Sequence, residues 1–160
     1  TMIGEKVFYL TKEGLEKIKK EYSDLKNLRL SRTQGEVPRI WQSEDVNPEY
    51  LSFQEDLNFL EAKLVELEHI IKNAELIAVP PKEKQNTVWL GATVTLEDTD
   101  KHINEFKIVG TLEANPGEGK LSSESPVGKA ILGKKVGEEV VITSPIKVVY
   151  KVKKIGYHFS

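Results

Sequence analysis

The sequence predicts an α+β protein, in which an N-terminal antiparallel α-helical coiled-coil hairpin is followed by a small β-sheet domain with one short helix. Apolar residues recur at steps of three and four through most of the first half, which is the period of a coiled-coil seam. In the second half they alternate, which is typical of strands. Val79-Pro80-Pro81 ends the helical pattern. We therefore predict a hairpin domain over residues 1–78, a linker over 79–86 and a C-terminal domain over 87–160.

The first helix is predicted to begin after Thr11, whose hydroxyl suits an N-cap. Its apolar seam consists of Leu15, Ile18, Tyr22, Leu25 and Leu28. Gly35 and Pro38 then interrupt the pattern. If this helix forms a hairpin with the second helix described below, the stretch from Leu28 to the turn has fewer residues in the first arm than the facing stretch has in the second arm. Since extended chain rises faster than helix, we expect the first arm to break near Gly35.

The second helix has a clear predicted start. Asn47 is a good N-cap, Pro48 suits the first helical position, and Glu49 complements the helix dipole. The seam that follows consists of Tyr50, Phe53, Leu57, Leu60, Leu64, Leu67 and Ile71. The two seams fit as a hairpin that turns near residues 43–47 and sets Leu28 opposite Leu64.

The C-terminal domain is predicted to contain four strands, over residues 88–96, 106–112, 139–143 and 146–155. Ser125 and Pro126 open a short helix that runs through Leu132 and is closed by Gly133. A sheet with one short helix across it gives an α+β domain.

Composition excludes several classes of protein. The 160 residues carry a formal net charge of −2 and no cysteine, so a generic polyanion binder, disulfides, thiolate metal sites and a cysteine nucleophile are all excluded. No apolar run approaches the length of a membrane span. We expect a cytoplasmic protein with no membrane partner.

The usual signatures of catalysis are absent. His69, His102 and His158 are scattered without the spacing of metal ligands, and we expect each to be structural or solvent-exposed. The sequence has no glycine-rich phosphate loop, and no Ser-His-Asp set can be assembled from it. We therefore expect no enzyme in its own right, no cofactor and no stably bound metal.

The predicted hairpin turn is acidic. Glu36, Glu44, Asp45 and Glu49 gather there against the single Arg39. Carboxylates at the end of a narrow rod could reach into a cleft and share a hard cation such as Mg²⁺. The alternative is an ordinary solvated turn in which Glu49 serves only the helix terminus, and spacing alone favours that alternative.

Trp41 near the same turn also has two interpretations. It packs on Tyr50 and closes the coiled coil, or it contacts a partner as an aromatic anchor. The sequence favours packing.

Beyond these patterns, the chain resembles the Gre family of bacterial transcript-cleavage factors over nearly its whole length. The stretches that carry the resemblance are Asn47-Pro48-Glu49-Tyr50, Lys72-Asn73-Ala74-Glu75-Leu76-Ile77, Leu90-Gly91-Ala92-Thr93-Val94-Thr95, Lys107-Ile108-Val109-Gly110 and Ser122-Ser123-Glu124-Ser125-Pro126-Val127-Gly128-Lys129-Ala130-Ile131-Leu132-Gly133-Lys134. Several ungapped matches that occur in the same order as in the family are far more specific evidence than any single match.

The resemblance implies an FKBP-like C-terminal domain that docks on the rim of the secondary channel of bacterial RNA polymerase. The coiled coil passes down that channel, and its tip helps the polymerase to hydrolyse backtracked RNA at the nascent 3′ end. In this sequence Glu44 and Asp45 would assist the polymerase's Mg²⁺. The tip-supporting residues implied are Trp41, Asn47, Glu49 and Tyr50, and the polymerase-docking residues are Ser125, Pro126, Gly128, Lys129 and Gly133.

The sequence departs from the family at the tip. The family pattern reads Gly-Asp-Leu-Lys-Glu-Asn, and aligned backwards from Asn47 its two acids fall on Ser43 and Val46. The acids present, Glu44 and Asp45, are adjacent instead. Two functions stay open: an elongation factor that stimulates transcript cleavage, and a channel-binding regulator without that activity, which inhibits or competes with Gre factors.

A third and remote alternative is a prolyl isomerase built on the FKBP-like domain. Such a site needs an aromatic-lined pocket. Trp89, Phe106, Tyr150 and Tyr157 are the candidates, and they fit an ordinary core equally well.

Overall fold

The structure is a computed structural model that describes residues 6–143 and 145–158. It contains the three α-helices α1 (Lys12–Gln34), α2 (Pro48–Lys72) and α3 (Pro126–Ile131). The strands are β1 (Phe8–Leu10), β2 (Trp41–Gln42), β3 (Asp45–Val46), β4 (Ala74–Leu76), β5 (Ala92–Asp98), β6 (Ile103–Val109), β7 (Lys120–Ser122), β8 (Glu139–Ile142) and β9 (Val148–Tyr157). Within the described residues, no helix combines the length and the apolarity needed to cross a membrane.

The described chain divides into two compact units. The first, called here the hairpin unit, comprises Glu13–Ala74, and the second, the sheet unit, comprises Val7–Lys12 together with the residues from Glu75 onward. The sequence placed residues 1–78 in one domain, whereas Val7–Lys12 here group with the C-terminal residues. The cause is a strand pair, because β1 lies beside β4 and Ile77 N donates to Leu10 O at 2.9 Å. A three-residue strand is too short to show alternation in the sequence.

The end of α1 and the start of α2 both lie where the sequence predicted them. α1 ends at Gln34, and Gly35 N still donates to Ser31 O, which confirms the predicted break near Gly35. α2 begins at Pro48, and the side chain of Asn47 accepts from Glu49 N at 3.0 Å, which confirms the predicted cap.

The seam of α2 is the buried stripe of the hairpin unit. Its buried members are Leu60, Leu64, Leu67 and Ile70. The sequence predicted Ile71 as the last seam residue, but Ile71 is half-buried and its neighbour Ile70 is buried instead. Ion pairs connect the two arms, with Arg29 Nη1 at 3.2 Å from Glu61 Oε2 and Arg32 Nη1 at 3.1 Å from Asp56 Oδ2. Arg29 and Glu61 lie within a turn of Leu28 and Leu64, the pair that the sequence set opposite each other.

The sheet unit is built on five strands in the order β7-β6-β5-β9-β8, antiparallel except where β6 pairs in parallel with β7. The buried face of this sheet and α3 enclose an aliphatic core. Its members are Val88, Leu90, Ala92, Val94, Leu96, Ile108, Ile131, Val140, Ile142 and Val152. Phe106, Tyr150 and Tyr157 pack against this core, whereas Trp89 keeps 52% of its surface exposed. Three of the four aromatics named for an isomerase pocket are therefore ordinary packing residues.

The predicted strands are present with shifted ends. The first begins at Ala92 and the second at Ile103, and β8 and β9 fall within two residues of their predicted bounds. The second strand stops before Gly110, where a β-carbon would overlap the Tyr9 carbonyl oxygen, and a 3₁₀ turn follows over Thr111–Glu113. The predicted short helix is confirmed as α3. The three-residue strands β1, β4 and β7 were not predicted.

Candidate functional site

The end of the helical hairpin is a small β-hairpin. β2 and β3 pair antiparallel, with Trp41 opposite Val46 and Gln42 opposite Asp45. Asn47 N donates to Ile40 O at 2.8 Å and closes the base of the hairpin. The connection is the two-residue turn Ser43-Glu44, and Ser43 has a φ of 60°, in the left-handed region. The sequence predicted a turn near residues 43–47 but not these strands, since two-residue strands leave no alternating pattern.

This pairing fixes which side chains share a face of the tip. Directly opposed residues project to the same side of a β-ladder, and neighbours along a strand project to opposite sides. Trp41 and Val46 therefore share one face, and Gln42 and Asp45 share the other. Glu44 lies at the turn, and both acids are exposed.

Trp41 does not pack as the sequence favoured. Trp41 keeps 61% of its surface exposed, although Tyr50 is half-buried and the Tyr50 hydroxyl hydrogen-bonds Gln54. The expectation that Trp41 is buried against Tyr50 is wrong, because the β-ladder turns Trp41 towards Val46 instead. Beside it lies a concavity of about 600 Å³, called here the tip concavity. Its lining residues are Glu36, Val37, Pro38, Arg39, Trp41, Gln42, Ser43, Asn47 and Glu49.

The motif predicted to dock the polymerase surrounds the start of α3. Ser125 caps this helix by accepting from Gly128 N at 3.1 Å, while its hydroxyl donates to Ser122 O at 2.7 Å. Gly128 is required there because a β-carbon would overlap the same Ser122 carbonyl oxygen. Lys129 and Gly133 are exposed, and Gly133 has a φ of 80° at the end of the helix. Ser125 and Gly128 thus hold the local backbone, and Pro126 and Lys129 face solvent.

The sequence analysis missed one side chain of this motif. Glu124 is exposed and its carboxylate is held in place, because Thr111 Oγ1 donates to Glu124 Oε2 at 2.6 Å. Ser122 Oγ lies 2.8 Å from Thr111 Oγ1 and accepts from Glu124 N at 3.0 Å. A fixed, exposed carboxylate beside Pro126 is suited to recognition by a basic partner surface. Only its place in the family-like motif could have signalled it.

A second arrangement places His102, for which the sequence analysis found no metal-ligand spacing, beside two acids. In the described ranges, Asp98, Asp100 and His102 are the one group of three potential metal ligands whose atoms all lie within 4.8 Å of one another. The tip acids form no such group of three. Asp98 Oδ1 accepts from Asp100 N and His102 N, both at 2.9 Å. The backbone bond from His102 is the main cause that lowers the pKa of Asp98. This cluster closes the β5–β6 turn.

Comparison with known proteins covers both units. Residues 82–157 match the family described as transcription elongation factor, GreA/GreB, C-terminal, and residues 8–76 match the transcription elongation factor N-terminal family of GreA and GreB. Transcription elongation factor GreA of Bacillus subtilis is 39% identical over 147 residues, covering 90% of this chain and 92% of that protein. The GreA of Bacillus cytotoxicus is 36% identical with the same coverage.

Solved structures of similar proteins span nearly the full chain. GreA factor homolog 1 of Thermus thermophilus is 25% identical with a TM-score of 0.42 and covers 94% of this chain and 99% of that one. The GreA/GreB factor of Nitrosomonas europaea is 20% identical with a TM-score of 0.43 and the same coverage. On the two family matches and the GreA relatives, the chain belongs to the GreA/GreB family of transcription elongation factors.

Proposed function

We propose that this protein binds bacterial RNA polymerase, inserts its helical hairpin into the secondary channel, and modulates elongation from the tip. The observation that carries the proposal is the hairpin itself, a narrow rod that ends in exposed acids. α2 alone has 25 residues, which makes it about 37 Å long at 1.5 Å per residue. A rod of that length can carry its tip into a deep cleft that a globular domain cannot enter.

The start of α3 in the sheet unit is the proposed docking surface on the rim of the channel. Ser125 and Gly128 shape the backbone, and Pro126, Lys129 and Gly133 are presented on its surface. Glu124 adds a carboxylate that Thr111 holds in one orientation. Preorganised groups lose little entropy on binding, which supports a role in affinity.

The proposed chemistry of the tip belongs to the polymerase, with Glu44 and Asp45 as helpers. Mg²⁺ binds oxygen ligands at about 2.0–2.1 Å in a near-octahedral shell and is usually held by one or two protein carboxylates. An exposed tip acid can complete such a shell around an ion that the polymerase already holds, and so stimulate hydrolysis of backtracked RNA.

The second candidate is a channel-binding regulator that does not stimulate cleavage. One observation favours it: the two tip acids are adjacent rather than three apart, with Glu44 in the turn and Asp45 in the β2–β3 ladder. Two carboxylates so placed converge on one ion only if the turn rearranges. Such a protein would inhibit elongation or compete with Gre factors.

A cleavage assay on backtracked elongation complexes separates the two candidates. The chain is added in its natural form and as the double variant Glu44→Ala, Asp45→Ala. The matched control, Glu55→Ala with Glu68→Ala, removes the same charge from the exposed side of α2. A cleavage factor accelerates cleavage, keeps that effect in the control and loses it in the tip variant.

Binding without acceleration identifies the non-cleaving regulator. No binding of the natural chain to polymerase would contradict the proposal as a whole. Equal acceleration by the tip variant would exclude Glu44 and Asp45 as the helpers.

A further inference from the structure

The tip concavity combines an exposed indole with acidic side chains. Trp41, Glu36 and Glu49 are among the residues that line it. Gln42 and Asn47 are also among the lining residues. Its volume of about 600 Å³ lies in the range of pockets that take a ligand group, and Trp41 is 61% exposed.

The negative charge around the concavity favours a positively charged group inside it. Among the charged residues that line the concavity, Glu36 and Glu49 oppose Arg39. Glu44 and Asp45 lie in the adjoining turn and make residues 35–49 more negative. An indole face is the strongest aromatic partner for a cation, and nearby carboxylates add hydrogen-bonded ion pairing. Arginine suits this pairing better than lysine, because its planar guanidinium is weakly hydrated, stacks on rings and binds carboxylates through two bonds.

We propose that the tip concavity receives an arginine side chain of RNA polymerase, stacked on Trp41 and paired with Glu36 or Glu49. This rests on the proposed function, since the tip must reach the polymerase interior. It gives the tip a role in binding that is separate from the assistance of Mg²⁺ by Glu44 and Asp45. A nucleobase of the nascent RNA would also stack on an indole, but its phosphates would be repelled by the acidic segment.

Fluorinated tryptophan tests the cation directly. Fluorine withdraws electron density from the ring face and weakens a cation–π contact while leaving size nearly unchanged. Trp89 is the chain's other tryptophan, so a Trp89→Phe background restricts the label to Trp41. Mono-, di- and trifluorotryptophan versions of the full chain are titrated against core polymerase free of nucleic acid.

The expected result is a dissociation constant that rises stepwise with fluorination, by about two- to fivefold for the trifluoro form. Glu36→Gln and Glu49→Gln should each weaken binding, whereas the matched Glu55→Gln should not. Trp41→Leu should weaken binding at least as much as trifluorination.

Three results would overturn the inference. Tight binding that is flat across the fluorinated series would show an apolar contact at most. A fluorination effect seen only in elongation complexes, and absent without RNA, would assign the contact to a nucleobase. Unchanged affinity of Trp41→Leu would remove Trp41 from the interface. If the natural chain does not bind polymerase at all, the proposed function is wrong. If it binds but one of these three results is found, only the arginine contact is wrong.

Discussion

The sheet unit and the hairpin unit bury their side chains in different ways. The sheet unit has a core of ten buried aliphatic residues enclosed between its sheet and α3. In the hairpin unit the buried residues are one stripe of α2 and Asn73 at its end, and every residue of α1 is half-buried or exposed. A two-helix rod has no third layer to cover its outer faces. The comparison indicates that folding stability is concentrated in the sheet unit, while the hairpin tip is free to carry binding residues that cost little stability.

The largest expected effect compares the same substitution in the two units. Leu96→Ala removes a side chain that is 0% exposed and should lower the free energy of unfolding by about 2–5 kcal/mol. Leu28→Ala in the hairpin seam removes one that is 40% exposed and should cost about 1 kcal/mol. Denaturant unfolding followed by circular dichroism measures both. Equal losses of unfolding free energy in the two variants would contradict the claim that stability is concentrated in the sheet unit.

A middle-sized effect is expected where β1 joins the sheet unit. Thr11 N and Thr11 Oγ1 donate to the two oxygens of Glu113, at 2.6 and 2.7 Å. Thr11→Val keeps the shape, removes the hydroxyl donor and should lower the free energy of unfolding by about 1–2 kcal/mol. Thr11→Ser, which keeps the donor, should lose clearly less. A Val variant as stable as the Ser variant would show that the hydroxyl bond contributes nothing.

The smallest effect concerns the β5–β6 turn and depends on pH. Because the folded-state pKa of Asp98 is lowered, its contribution to stability is present above the unfolded pKa of about 3.9 and is lost as pH falls through the folded value. Asp98→Asn should therefore melt slightly below the natural chain at pH 7. That gap should narrow as pH falls below about 3.9. A gap that is constant with pH would assign the effect to shape rather than to charge.

Where a local rule acted alone, the sequence predicted the structure well. The Asn47 cap, the end of α1 before Gly35 and the Ser125-to-Gly133 helix each follow from the preferences of a few adjacent residues. The prediction of strand ends was wrong where a distant segment determines them. At Gly110, for example, the close approach to Tyr9 is not encoded in any local pattern.

The candidate site shows the same division. The acidic character of the tip could be predicted from the sequence, because it depends only on composition. The exposure of Trp41 was not, since it depends on a two-residue ladder that pairs Trp41 with Val46. Glu124 was equally hidden, because its orientation comes from Thr111, thirteen residues away along the chain.

The central claim is that the tip of the hairpin reaches the interior of RNA polymerase, and site-specific photocrosslinking tests it most directly. A photoreactive amino acid replaces the exposed Ser43 in the tip turn, and the matched control carries it at the exposed Lys101 in the sheet unit. We expect the Ser43 probe to crosslink polymerase segments around the catalytic Mg²⁺ and the Lys101 probe not to. Crosslinks from Ser43 confined to the outer surface, or none while the chain remains bound, would contradict it.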